Sequence, residues 1–379
     1  MISSEEYATR FDRMQRMMKA KGIRAQLIYS PHRDYRPAYM RWLTGWWTKE
    51  EESGILVITD SSDPVLFMNG TSYRTGDIFR AKDSSYVKDI NPTIDYALDI
   101  STYLKKVGVT RGQLGIAEWR VFPAKIYIEM HKLMPDVEWV DTSGAVNELC
   151  LIKSPAEIEL MKKAAQITDS ATQVALGALK PGVTEHELMS IAEFEAKKLG
   201  AEISFISELG SGVHRTWIGE PVPSDKKLEA GELVIMDWGA RWEGYHSDIS
   251  RTYVVGGEPS AQQRKLLSIV YDTLEAGIAA IRPGVMASAP TSACQEVVKD
   301  AGYANYWNPA FIPHGIGIAL HEEPMLEPGY DDRMLEAGMF INLEPGLYID
   351  DIGGVRLENT VLVTSTGGEV INALTTQWW

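Results

Sequence analysis

The sequence predicts an α+β chain of two domains: a smaller α/β domain over residues 1–150 and a larger one, of two related halves, over 151–379. Three observations predict it. The chain has 379 residues, more than one hydrophobic core usually serves. Short apolar runs alternate with amphipathic stretches through the first 150 residues. Ala178–Val183 (ALKPGV) returns as Ala280–Val285 (AIRPGV), and an acidic, strand-like segment follows each copy.

The first helix opens at a capping box, Ser3 with Glu6. It carries Tyr7, Phe11, Met14 and Met18 at helical spacing and stops at Gly22. Strands are expected at Ala25–Tyr29, Ile55–Ile58, Val65–Met68 and Leu114–Ala117, and helices around Asp95–Lys106 and Pro123–Leu133. Between them, Tyr39–Trp47 (YMRWLTGWW) crowds three tryptophans together, which suits a core, a pocket lining or a subunit contact. A boundary falls at Asp141–Pro155. Ser154, Pro155 and Glu157 then start a helix running to about Leu179, and Thr184 with Glu187 opens one ending near Gly200. Ser260 with Gln263 repeats the design, with a helix ending at Arg282-Pro283-Gly284 and another after it.

Acidic residues outnumber basic ones, 52 to 37, giving a net charge of −15. This argues against nucleic acid or an anionic membrane as partner. With 45% hydrophobic and 23% charged residues, global disorder is excluded. Cys150 and Cys294 are distant and no CxxC occurs, so neither a disulfide scaffold nor a thiolate zinc site is expected. The polar start, MISSEEYATRFDRMQ, does not read as a signal peptide, and no apolar run has membrane-spanning length, so a cytoplasmic protein is expected.

The acidic segments carry the chemistry. Glu232–Val255 and Met339–Val363 each contain an apolar run broken by one carboxylate: Asp237 after LVIM, Glu344 after FINL. A turn then leads to a second strand with another, Asp248 or Glu358. Burying such groups is costly without cations. The partners are either arginines (Arg241, Arg251, Arg356) or a lysine, or divalent metals such as Mn, Co, Fe or Zn. His314 and His321 flank Gly315-Ile316-Gly317 in FIPHGIGIALHEEP, and the glycines favour a strand or loop there. No GxGxxG follows, so this is not a dinucleotide fingerprint.

On these residues, Ile152 to about Val363 resembles the pita-bread metallohydrolases. These are aminopeptidase P, prolidase and methionine aminopeptidase, with non-peptidase relatives such as creatinase and ectoine hydrolase. LIKSPAEIELMKKAA, the Asp237 and Asp248 pair, GYHSDISRT, HGIGIALHEEP, EPGLY and GGVRLENT carry the likeness. The first domain resembles the creatinase/prolidase N-terminal domain, with YMRWLTGWW at its Y-x-T-G-F-like stretch. The resemblance implies a dinuclear site. Asp237 would chelate one ion, Asp248 and Glu358 would bridge, and His314 and Glu344 would complete the second. Manganese is the metal the likeness favours. The pair would activate a water, with Glu344 passing a proton to the leaving nitrogen and His321 donating to the tetrahedral intermediate. A homodimer is also implied.

One departure concerns substrate. Peptidases of this kind carry a histidine about seventeen residues before the first aspartate, where this chain has Glu220, in GEPVPSDKKL; the nearest histidine is His214, in GSGVHRTW. His214, Glu220, Arg356, Trp46 and Trp47 are therefore the candidate substrate-binding residues. Three readings stand. The first is a metal-dependent Xaa-Pro dipeptidase or aminopeptidase. The second is a hydrolase or lyase of a small cyclic, cationic or zwitterionic metabolite, like ectoine hydrolase, creatinase or an osmolyte lyase. The third is a non-catalytic binding protein.

Overall fold

The computed structural model describes residues 1–30, 38–47, 53–70, 75–202, 207–217, 221–307, 313–326, 328–330 and 333–379. The chain divides into two compact units, Met1–Cys150 and Leu151–Trp379. No helix among the described residues is long and apolar enough to cross a membrane.

The first unit begins with α1 (Ser4–Lys21), where Ser3 accepts from the Glu6 amide and Gly22 ends the helix in the left-handed region at φ 72°. Then come β1 (Ile23–Ser30), α2 (Tyr39–Thr44), β2 (Gly54–Thr59), β3 (Val65–Asn69), α3 (Thr75–Ser84) and β4 (Ile90–Thr93). After them run α4 (Tyr96–Lys106), β5 (Gly112–Ala117), α5 (Ala124–Leu133), β6 (Val137–Asp141) and α6 (Ser143–Cys150). The strands form one mixed sheet, β4-β3-β2-β1-β5-β6. Leu27, Val57, Phe67, Leu114 and Ile116 on the sheet meet Ile100 and Leu104 of α4 and Met130 of α5 in one core. The expected strands and helices are present, whereas β4, β6, α3 and α6 carry too weak a pattern to read. Pro92 inside β4 fits its place at the sheet edge.

In the second unit, α7 (Pro155–Leu176) and α8 (Glu185–Lys198) both carry the expected capping boxes. They are followed by β7 (Ser207–Ser211), α9 (Gly212–Trp217), β8 (Leu233–Trp238), β9 (Arg241–Trp242), β10 (Tyr245–His246) and β11 (Ile249–Val254). The second half supplies α10 (Ala261–Ala280), capped by Ser260 and Gln263, and α11 (Ala289–Asp300). Its strands are β12 (His314–Gly315), β13 (Glu322–Met325), β14 (Phe340–Leu343), β15 (Gly346–Ile349), β16 (Gly353–Arg356), β17 (Asn359–Val363) and β18 (Gly368–Val370).

The two halves share one plan. β8 pairs antiparallel with β11, and the ribbon β9–β10 is inserted between them. Likewise β14 pairs antiparallel with β17, with the ribbon β15–β16 between. Each pair is backed by helices. Ile167, Ala171, Leu188 and Met189 pack on Val234, Met236 and Trp238. Leu267, Val270, Leu274 and Cys294 pack on Leu343, Leu347 and Val355. The expected repeat is therefore structural as well as sequential.

Candidate metal centre

The four strand carboxylates sit at equivalent places in this plan. Asp237 is the penultimate residue of β8 and Asp248 immediately precedes β11; Glu344 follows β14 and Glu358 immediately precedes β17. Room for the first pair depends on Gly239, because a β-carbon there would stand 1.6 Å from the Ser247 carbonyl oxygen.

Hydrogen bonds stitch the halves edge to edge. The Glu358 amide donates to the Ser250 carbonyl at 3.0 Å, and the Thr252 hydroxyl donates to the Arg356 carbonyl at 2.8 Å. Arg251, 1% exposed, donates to the Glu358 carbonyl and the Asn359 side chain. These bonds bring the starts of β11 and β17 together. Ligand atoms of Asp248, His314 and Glu358 consequently all lie within 4.8 Å of one another. His314 enters from β12, beside β14 in register with Asn342. Its Nε2 stands 3.7 Å from Glu344 Oε1, and its ring meets that of His321 edge-on at 4.2 Å between centroids.

The charge balance of the cluster favours cations. Arg356, 1% exposed, donates from Nε to Asp237 Oδ2 at 2.8 Å and from Nη2 to Glu208 Oε2 at 3.1 Å. Burial alone would favour losing the proton of Arg356, but Asp237, Tyr348, Glu208 and Glu344 outweigh it and hold the guanidinium charged. The arginine pairing that the sequence left open thus exists, on one side of the cluster. Asp237, Asp248, Glu344, Glu358 and Glu208 crowd one cluster, with Arg356 acting on it from one side and Arg251 acting on Glu358. Burial first, then the neighbouring carboxylates, pushes Asp248 and Glu358 well above the usual carboxylate range. Asp248 Oδ1 and Glu358 Oε2, both buried, accept no hydrogen bond among the described residues. Two acidic groups aimed at each other, with unused oxygens beside an imidazole, fit a divalent cation.

His214 is exposed on α9, whose Thr216 hydroxyl accepts the Gly354 amide of β16 at 2.9 Å. Glu220 lies outside the described residues. Trp46 and Trp47 belong to the first unit, where Trp46 is 0% exposed, with Arg80 over its ring at 5.9 Å. Arg41 lies over Trp47 at 5.1 Å and Arg10 over Trp42 at 4.9 Å. The cation–π faces are thus engaged by arginines of the same unit.

Sequence reasoning did not find Glu208, Asn342 or the buried pair of Lys153 with Glu322. That pair braces the turn between His314 and His321, where Glu322 also accepts the Ala319 amide and the Gly317 carbonyl accepts the His246 amide. The signals were present but weak: Asn342 is polar inside an apolar run, and Lys153 stands just before a helix cap.

Known proteins match this chain along nearly its whole length. Residues 159–365 match metallopeptidase family M24, and residues 10–152 match the creatinase/prolidase N-terminal domain. A Xaa-Pro dipeptidase of Pyrococcus furiosus is 32% identical over 83% of this chain and 86% of its own length. An uncharacterized peptidase of Bacillus subtilis is 30% identical over 96% of this chain and 97% of its own. The solved structure of a Xaa-Pro dipeptidase from Bacillus anthracis superposes with a TM-score of 0.85 at 29% identity, covering 98% of this chain and 99% of that one. The expected pita-bread layout behind a creatinase-type domain therefore holds, and the non-catalytic reading does not. The chain belongs to metallopeptidase family M24 and is a metal-dependent hydrolase of amide bonds.

Proposed function

We propose that the chain hydrolyses the Xaa-Pro bond of a dipeptide or short peptide with two divalent ions, manganese by preference. The observation that carries the metal half is the convergence of Asp248, His314 and Glu358 beside Asp237 and Glu344, with unused carboxylate oxygens on Asp248 and Glu358. Divalent cations would offset the carboxylates that Arg356 and Arg251 leave uncompensated. The substrate half is supported by the likeness to Xaa-Pro dipeptidases.

Divalent ions at such a site supply a Lewis acid for the scissile carbonyl and acidify a water toward neutral pH. This chain's residues do the rest. Asp237, Asp248, His314, Glu344 and Glu358 would hold the ions, and Arg356, paired with both Asp237 and Glu208, fixes the carboxylate of Asp237. Glu344, less buried than Asp248 and Glu358, accepts a proton and returns it to the leaving nitrogen. His321, ring against His314, donates to the oxyanion of the tetrahedral intermediate. His214, exposed at the margin of β16, meets the substrate's end groups.

The test is to strip the protein with chelator, reload it with Mn²⁺, and compare Xaa-Pro dipeptides with matched Xaa-Ala dipeptides and with cyclic amidines. Preferred cleavage of Xaa-Pro bonds supports the reading. Turnover of a cyclic amidine with no Xaa-Pro cleavage overturns it in favour of a small metabolite.

A further inference from the structure

Asn342 is 0% exposed in the middle of β14, inside the apolar run Phe340–Leu343. A buried side-chain amide on such a strand is costly unless both its ends are used. They are. Its Nδ2 donates to Glu358 Oε1, and its Oδ1 stands 2.9 Å from the Thr360 hydroxyl. The sheet register explains why these groups meet. His314 on β12 is opposite Asn342 on one side, and Thr360 on β17 is opposite it on the other. Directly opposed residues in a sheet point to the same face. His314, Asn342 and Thr360 therefore form a row across three strands, on the face that carries the carboxylates.

The polarity of the row follows from its chemistry. Thr360 Oγ1 lies 3.0 Å from the Asp248 carbonyl and 2.9 Å from Asn342 Oδ1, so its one proton is within reach of two acceptors. An ionised Glu358 accepts only. Turning the amide over would set Oδ1 against that carboxylate, oxygen on oxygen. The observed orientation gives Glu358 its donor, and the Thr360 proton, turned to Oδ1, holds the amide that way. The bond occupies one lone pair of Oε1 and none of Oε2, which accepts no hydrogen bond among the described residues.

We propose that Asn342, its amide oxygen held by the Thr360 hydroxyl, is a positioning residue that aims the Glu358 carboxylate at the bound cation. This rests on the metal reading above. Groups that orient a metal ligand in this way typically contribute about 10–100-fold in metal affinity. The role predicts that the donor at position 342 matters more than the shape of the side chain there.

The experiment titrates metal-stripped wild-type protein, Asn342→Val, Asn342→Thr and Thr360→Val with Mn²⁺ by calorimetry, with circular dichroism of each metal-free protein. Valine and threonine have the same shape, so packing damage is common to both variants and their difference isolates the hydroxyl donor. The expected result is a loss of about 10–100-fold for Asn342→Val, recovery of at least about fivefold in Asn342→Thr, and a smaller loss in Thr360→Val. Equal Mn²⁺ affinity in Asn342→Val and Asn342→Thr, with wild type binding normally, overturns the proposal alone. If Asn342→Val does not fold, Thr360→Val decides: wild-type affinity in that variant overturns the proposal and weakened affinity supports it. No Mn²⁺ uptake by the wild-type protein overturns the metal reading, and this proposal with it.

Discussion

Glu185 offers a quantitative check on how the second unit is held together. It is 0% exposed, at the first position of α8, and its carboxylate gathers three separate segments. Oε1 accepts the Ser211 amide at 2.8 Å and the Ser211 hydroxyl at 2.9 Å; Oε2 accepts the Ser224 amide at 3.1 Å and the Ser224 hydroxyl at 2.7 Å. Arg215 of α9 bridges both oxygens, with its side chain 27% exposed. Glu185→Gln keeps the shape but replaces one acceptor oxygen with a donor that faces donors. Removing one partner of a buried ion pair costs about 3–5 kcal/mol. Arg215 regains water through its exposed side, so about 2–3 kcal/mol is the expected loss at pH 7. For a unit of this size that lowers the melting temperature by about 4–12 °C.

The pH dependence supplies the sign. Burial pushes Glu185 up, but the bonds from Arg215, Ser224 and Ser211 together outweigh it and hold the group below the usual carboxylate value. A carboxylate depressed on folding contributes stability above its unfolded pKa of about 4.3 and loses it as pH falls through the lower folded value. Glutamine has no such proton to bind. Thermal unfolding followed by circular dichroism in chelator should therefore show the full gap from about pH 5 to 7, closing on further acidification. A gap that is absent at pH 7, or unchanged at about pH 3, refutes the reasoning.

Glu344→Gln should lower kcat by about 10²–10⁴-fold while leaving Mn²⁺ measurable in the purified protein; activity within a few-fold of wild type would mean another group moves the proton. Gly239→Ala should prevent Mn²⁺ uptake altogether, because its methyl group would meet the Ser247 carbonyl at 1.6 Å, and retained uptake in a calorimetric titration contradicts the strand geometry. Asp248→Asn removes a buried acid whose ionisation the cluster opposes, so it should raise the melting temperature of the metal-stripped protein and lower that of the Mn²⁺-loaded protein; equal shifts in both states contradict the charge balance.

The strand carboxylates were legible because each breaks an apolar run at the same place in a repeated pattern: Asp237 after LVIM, Glu344 after FINL. The capping boxes at Ser154, Thr184 and Ser260 were legible because they are local, spanning three residues each. The pairing of Arg356 with Glu208 was not, since 148 positions separate them: Glu208 stands opposite Asp237 where β7 pairs with β8, and Arg356 reaches both from β16. Asn342 reads in sequence as one polar residue in a strand; its meaning depends on which residues face it across two neighbouring strands. The tryptophans read as large apolar faces, but that Arg10, Arg41 and Arg80 lie over them depends on how α1, α2 and α3 pack on the sheet.

The most direct test of the whole account is the number of divalent ions the protein holds. Metal-stripped wild-type protein titrated with Mn²⁺, with activity measured in parallel, should take up two ions per chain, and activity should appear only as they bind. Removal of Asp248 or Glu358 by alanine should abolish uptake of both. Full activity after exhaustive chelation, with metal analysis showing no ion left, would contradict the claim that this buried acidic cluster is a metal centre.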